Sequence, residues 1–182
     1  MTRIRTEDSL LLVIDYQEKF VPIIHGMDGV IENANKMIAG ADLVGIPIIA
    51  SEQYPEGLGK TTDRVRLPAG VAPHWKVHFD CFLDGKIAAA VAATGKRTLL
   101  VIGIEAHVCV CQSVLSALSL GYQVHVAEDA VSSRRERDAR TGIERMRQSG
   151  AFIACTEMLL FQMLPHSKDP RFPALSRIVK GG

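Results

Sequence analysis

The strongest constraint in this sequence is a rhythm in which short apolar runs, several of them unbroken, alternate with segments whose apolar residues recur at helical spacing. The runs are Leu10 to Ile14, Ile46 to Ala50, Thr98 to Gly103, Tyr122 to Ala127 and Ala151 to Ala154. A run that is apolar at every position predicts a strand covered on both faces. Stripes formed by Ile31, Ala34, Ile38 and Ala41, by Val110, Val114, Ala117 and Leu118, and by Ala139, Ile143 and Met146 predict helices that stop at Gly45, Gly121 and Gly150. Asp84 is placed to cap a further helix from Gly85 to Thr94, which stops at Gly95. Strand and helix alternating in this way predict an α/β fold, a three-layer α/β/α sandwich around a mostly parallel sheet with right-handed crossovers. Ligands in such sheets bind beyond the carboxyl ends of the strands. That rule singles out Asp15, the stretch from Ser51, and the stretch Ile104 to Cys109. Residues Glu52 to Phe82, rich in Pro and Gly, are expected to be one long irregular and functional segment.

With 182 residues, 47% of them hydrophobic, the chain can bury one sizeable core, and residues 1–182 are expected to form a single domain. The 21 basic and 20 acidic residues nearly cancel, and no basic run is interleaved with aromatics, so nucleic acid is not an expected partner. No apolar run approaches the roughly 20 residues that span a bilayer, so no membrane partner is expected either. The first residues carry charge directly before a short strand and lack a signal-peptide pattern, which makes a cytoplasmic location the expectation. Cys81, Cys109, Cys111 and Cys155 include no C-x-x-C pair and are expected to be reduced.

Cys109 falls just after a strand and is expected to open a helix, where the free N–H groups and the helix dipole favour a thiolate. Asp15 follows directly on a buried apolar run, at the strand's carboxyl end. Other signals are weaker. G-L-G-K-T would place the first glycine of a phosphate loop at Tyr54, and no dinucleotide-binding glycine pattern occurs. His74, His78 and Asp80 lack the setting of a metal site. The run R-R-E-R-D-A-R from Arg134 is expected to be a solvated helix face.

The segments L-L-L-V-I-D-Y-Q from Leu10, W-K-V-H-F from Trp75, L-L-V-I-G-I-E-A-H-V-C-V from Leu99 and A-L-S-L-G-Y-Q-V-H-V-A-E-D-A from Ala117 occur in this order. Together they resemble the isochorismatase-like cysteine hydrolase family over nearly the whole chain. S-E-Q-Y-P-E-G-L-G-K-T and R-M-R-Q-S-G-A-F are most similar to a branch of isochorismatase-domain proteins distinct from the nicotinamidases. The resemblance implies a catalytic triad of Asp15 as general base, Lys76 as cation and Cys109 as nucleophile. Lys60 stands in a different motif. The resemblance also implies a cis peptide between Ile104 and Glu105, with the backbone N–H groups of Glu105 and Cys109 forming an oxyanion hole. Gln17, Gln53, Tyr54, His78 and Phe79 are candidates for the substrate pocket. Where nicotinamidases carry a D-x-H metal motif, this chain reads Ser51, Glu52, Gln53, Tyr54, so neither a metal nor any other cofactor is expected. The implied activity is hydrolysis of a small amide or related carbonyl compound through a thioester, by a homo-oligomer whose partner is a small-molecule substrate. The alternative is a catalytically silent domain of the same fold that binds a partner.

Overall fold

A computed structural model describes residues 3–181, and residues 1, 2 and 182 of the expected domain lie outside the described residues. Six strands form one sheet: β1 (Ser9–Ile14), β2 (Ile48–Gln53), β3 (His74–Lys76), β4 (Thr98–Ile104), β5 (Gln123–Ser132) and β6 (Phe152–Ala154). Their order is β3-β2-β1-β4-β5-β6, and every neighbouring pair is parallel. From β1 the chain moves outward to β2 and β3, then returns to place β4 on the other side of β1. The strand order therefore reverses between β1 and β4, which is where sheets of this type hold their ligands.

The unbroken apolar runs have a direct structural cause. Along β1, Leu11 and Val13 face one side of the sheet, while Leu10, Leu12 and Ile14 face the other. Helices α1 (Met27–Val44), α6 (Thr156–Gln162) and α7 (Phe172–Lys180) cover the first side, with Ile31, Met37, Ile38, Leu160 and Leu175 in its core. On the second side, α3 (Gly85–Ala93), α4 (Cys111–Ser119) and α5 (Glu136–Gln148) contribute Ile87, Val91, Val114 and Met146. A strand covered twice must be apolar at every position, and each such side chain contributes roughly 1.5–3 kcal/mol by leaving water. Asp84 caps α3 through its carboxylate, which accepts from the Lys86 and Ile87 backbone N–H groups.

The segment Glu52 to Phe82 departs from expectation. It is not irregular throughout: β2 runs on to Gln53, α2 (Pro55–Leu58) follows, and β3 forms the edge of the sheet. Three residues are too few to carry a period, so the His-Trp-Lys of β3 left no pattern in the sequence. Its strand character comes from the ladder it makes with Ser51, Glu52 and Gln53 of β2. Lys76, expected in a loop, is thus fixed in the sheet. Among the described residues, no helix is long and apolar enough to cross a membrane.

Candidate active site

Three strand ends meet where the order of the sheet reverses. Asp15 is the residue after β1, Lys76 ends β3, and Ile104 ends β4 just before the helical turn Ala106–Val110 that carries Cys109. Asp15 and Lys76 have no exposed surface, and Cys109 is 5% exposed. Lys76 Nζ donates to Asp15 Oδ2 at 2.7 Å and to Gln53 Oε1 at 2.8 Å. Ser51 Oγ donates to Asp15 Oδ1 at 2.7 Å. The Asp15 backbone is left-handed, with φ of 55°, an unfavourable conformation for a residue with a Cβ and one that recurs at functional sites.

Two close backbone approaches build the other half of the site. At Gly103, φ is 152° and a Cβ would lie 2.5 Å from Ile14 Cβ, so β1 and β4 can meet at this end only through a glycine. At Gly142 of α5, a Cβ would lie 2.7 Å from His107 Cα, so α5 backs directly onto the turn that carries Cys109. The peptide bond between Ile104 and Glu105 is cis.

The local setting of Cys109 differs from the expected helix start. It stands fourth in a π-helical turn that leads into α4, and it is buried. Burial pushes its thiol well above the ordinary range, the neighbouring negative charge of Asp15 pushes the same way, and the Lys76 cation pulls against both. This setting favours the neutral thiol over the thiolate that a helix dipole alone would favour. Burial pulls the Lys76 ammonium down, the charge of Asp15 and the hydrogen bond to it pull the other way, and the net movement is upward. Lys76 thus holds its proton, and the arrangement is a thiol beside a buried ion pair.

The candidate pocket residues divide into two groups. Gln17 and Gln53 are buried, and their amides hydrogen-bond within the protein. Gln17 Nε2 donates to the carbonyls of Gln53 and Gly59, and its Oε1 accepts from Gln53 N–H. The Gln53 amide joins Lys76 to the carbonyl of Val77. Tyr54 and Phe79 are half exposed and His78 is exposed; the Phe79 carbonyl accepts from Lys76 Nζ at 3.4 Å, and the Tyr54 backbone N–H donates to the Lys76 carbonyl at 2.8 Å. Arg134, expected on a solvated face, donates from both Nε and its backbone N–H to the buried carboxylate of Glu105, each at 3.0 Å.

Two further residues adjoin this site: Ser51, in a stretch that the strand ends singled out without giving it a role, and Cys81. Ser51 is brought beside Asp15 by the β1–β2 register, which pairs it with Ile14. Cys81, read from the sequence only as a reduced thiol, is fully buried and donates to Ser51 Oγ at 3.8 Å. The position of Ser51 after a strand-like run was the only sequence signal for either. Cys111 lies in the core, as expected. Among the described residues, no cluster of His, Cys, Asp and Glu could hold a metal ion. A surface cavity of about 890 Å³ runs along α5 among arginines and glutamates, and Asp15, Lys76 and Cys109 do not line it.

Residues 9–158 match the isochorismatase domain. The chain is 37% identical to isochorismatase domain-containing protein 2A of Mus musculus over 98% of its own length and 85% of that protein. It is 34% identical to the secreted isochorismatase effector Isc1 of Phytophthora sojae over 98% of its length and 87% of the effector. The presence of a secreted protein among such relatives means that likeness alone assigns no compartment. A solved structure described as MAR1 ribonuclease from Caenorhabditis elegans superimposes with a TM-score of 0.92 at 32% identity, covering 98% of this chain and 92% of that one.

Proposed function

The chain belongs to the isochorismatase-domain family, whose fold is of hydrolase type, and from that premise we propose that it is a cysteine-dependent hydrolase of small amides or related carbonyl compounds. One observation carries this reading: the turn after β4 places the buried Cys109 close to a buried carboxylate, Asp15, that the Lys76 ammonium holds at 2.7 Å. A thiol kept neutral needs a base at the moment of attack, and Asp15 is the carboxylate whose charge acts on it. Asp15 takes the S–H proton, and the sulfur then bonds to the carbonyl carbon. Lys76 faces the new negative charge, while the backbone N–H groups of Glu105 and Cys109 receive the oxyanion. Collapse of the adduct breaks the C–N bond, and the departing amine leaves with the proton held by Asp15. Water, deprotonated by Asp15, hydrolyses the thioester and restores the thiol. The near-complete burial of the triad favours a small substrate.

The test is intact-protein mass spectrometry after rapid quenching, with a panel of small amides and esters and an RNA oligonucleotide. An acyl adduct should form on Cys109 with at least one carbonyl compound. Cys109→Ala should form none and lose at least about a thousandfold in turnover. Cleavage of the RNA that survives in Cys109→Ala would refute the proposal. So would full biological activity of a folded Cys109→Ala variant, which is what a silent binding module would show. The homo-oligomer belongs to the same proposal, and the exposed Trp75, Val77, Phe79 and Leu83 around edge strand β3 support it. Light scattering should give a mass that is a multiple of 19.9 kDa.

A further inference from the structure

The geometry points to Ser51 as a positioning residue that holds the Asp15 carboxylate in the plane from which it meets Cys109, with Cys81 orienting the Ser51 hydroxyl from behind. This inference rests on the proposed role of Asp15 as the base for Cys109.

Two anchors hold the carboxylate, one on each oxygen. Lys76 Nζ grips Oδ2 and Ser51 Oγ grips Oδ1, both at 2.7 Å. A carboxylate held at one oxygen can still turn about that contact, whereas one held at both has its plane fixed. The remaining lone pairs then face a set direction. Backbone pairing fixes the anchor itself, because Asp15 N–H donates to the Ser51 carbonyl at 3.1 Å.

A hydroxyl can rotate and donate elsewhere, so its direction needs a cause. Cys81 supplies one. Its thiol donates to Ser51 Oγ at 3.8 Å, which leaves the Ser51 proton free to point at Asp15. Burial first, then the charge of Asp15, push the Cys81 thiol up to about 11, so it remains a donor through the physiological range. Cys81 is itself held. Its backbone N–H donates to Ser113 Oγ on α4 at 2.9 Å, and Asp80 beside it accepts from Ser116 on the same helix. Helix α4, which follows Cys109, therefore also fixes the chain of donors that ends on Asp15. The groups that act on the Cys109 thiol are Asp15 after β1, Lys76 on β3 and Cys81 before α3.

The experiment follows the rate of Cys109 alkylation by iodoacetamide against pH in the full-length protein, with peptide mapping to separate Cys109 from the other cysteines. Asp15→Asn should move the Cys109 profile to lower pH, since the variant removes the negative neighbour that disfavours the thiolate. Ser51→Ala should move it the same way by about one pH unit, because the loosened carboxylate turns away from the thiol. Ser51→Thr keeps the hydroxyl and should restore the original profile. In an Asp15→Asn background, Ser51→Ala should add nothing, because Ser51 acts only through the carboxylate. An unchanged or upward-moving profile in Ser51→Ala overturns the inference. So does a Ser51→Thr profile displaced as far as that of Ser51→Ala, or a Ser51 effect that persists in Asp15→Asn. If Asp15→Asn itself leaves the profile in place, the general-base reading fails and the inference fails with it. If Asp15→Asn moves it and Ser51→Ala does not, only the inference fails.

Discussion

Two ion pairs stand near the carboxyl ends of the strands and differ chiefly in their access to water. The side chains of Asp15 and Lys76 have no exposed surface, whereas Arg134 is 60% exposed against a Glu105 that is 9% exposed. Distances alone would rank them almost equal, at 2.7 and 3.0 Å. Burial separates them. Taking two charges out of water costs several kcal/mol each, and close attraction offsets that only when the remaining hydrogen bonds are also made. At Asp15 and Lys76 they are made, through Ser51 and Gln53. A pair of apolar residues would do as well for stability, so an ion pair retained there points to chemistry. The exposed pair, screened by solvent, contributes at most about 1 kcal/mol.

The largest test of this contrast is Lys76→Met. It leaves the Asp15 carboxylate buried without its counter-charge, and unfolding by urea should show a loss of about 3–5 kcal/mol. The double variant Asp15→Asn, Lys76→Met should regain most of that stability while remaining inactive, because the charge is gone but so is the base. If Lys76→Met costs under about 1 kcal/mol, the buried pair is no different in kind from the exposed one.

A second test reads the thiol beside the pair. Because burial and Asp15 hold Cys109 protonated, its alkylation rate in the wild type should still be climbing at about pH 10, past the ordinary thiol range near 8.5. Lys76→Met removes the cation that pulls the thiol down, so the rise should come at still higher pH. Arg134→Ala should leave the profile where it was. A plateau below about pH 9 in the wild type would mean that the thiolate is already formed at rest.

The smallest expected effect belongs to Arg134→Ala, at or below about 1 kcal/mol and smaller still in high salt. The backbone N–H of residue 134 would still reach Glu105, so the carboxylate is not orphaned. A loss of 3 kcal/mol or more would show that exposure is a poor guide to these pairs.

Much of the fold was legible because its signals are local. Runs such as Leu10 to Ile14 and Leu99 to Ile104 are apolar at every position since helices cover both faces, and five of the six strands and four of the helices could be placed from such patterns. Short elements escaped. The three residues of β3 carry no period, and β2 reaches past Ala50 to Gln53 through the pairing of Ser51 with β1 and of Ser51, Glu52 and Gln53 with β3. Helices α6 and α7 also went unread, though α7 packs against α1 to close the first layer.

For the site, the motif around Cys109 and the position of Asp15 after a buried run named the residues, and Lys76 came from its place in W-K-V-H-F. The sequence by itself determined which side chains could act and the sheet that would carry them, since residue type and apolar period are properties of neighbours along the chain. Only the tertiary structure decided the state of those side chains. Whether Cys109 rests as thiol or thiolate depends on its burial and on a carboxylate 94 positions away along the chain. Whether Gln17 lines a pocket or braces a backbone depends on Gly59 lying within reach of its amide. Protonation and hydrogen bonding are set by distance and dielectric in three dimensions, and the register of β1 against β2 and β4 is what brings Ser51, Asp15 and Gly103 to one end of the sheet.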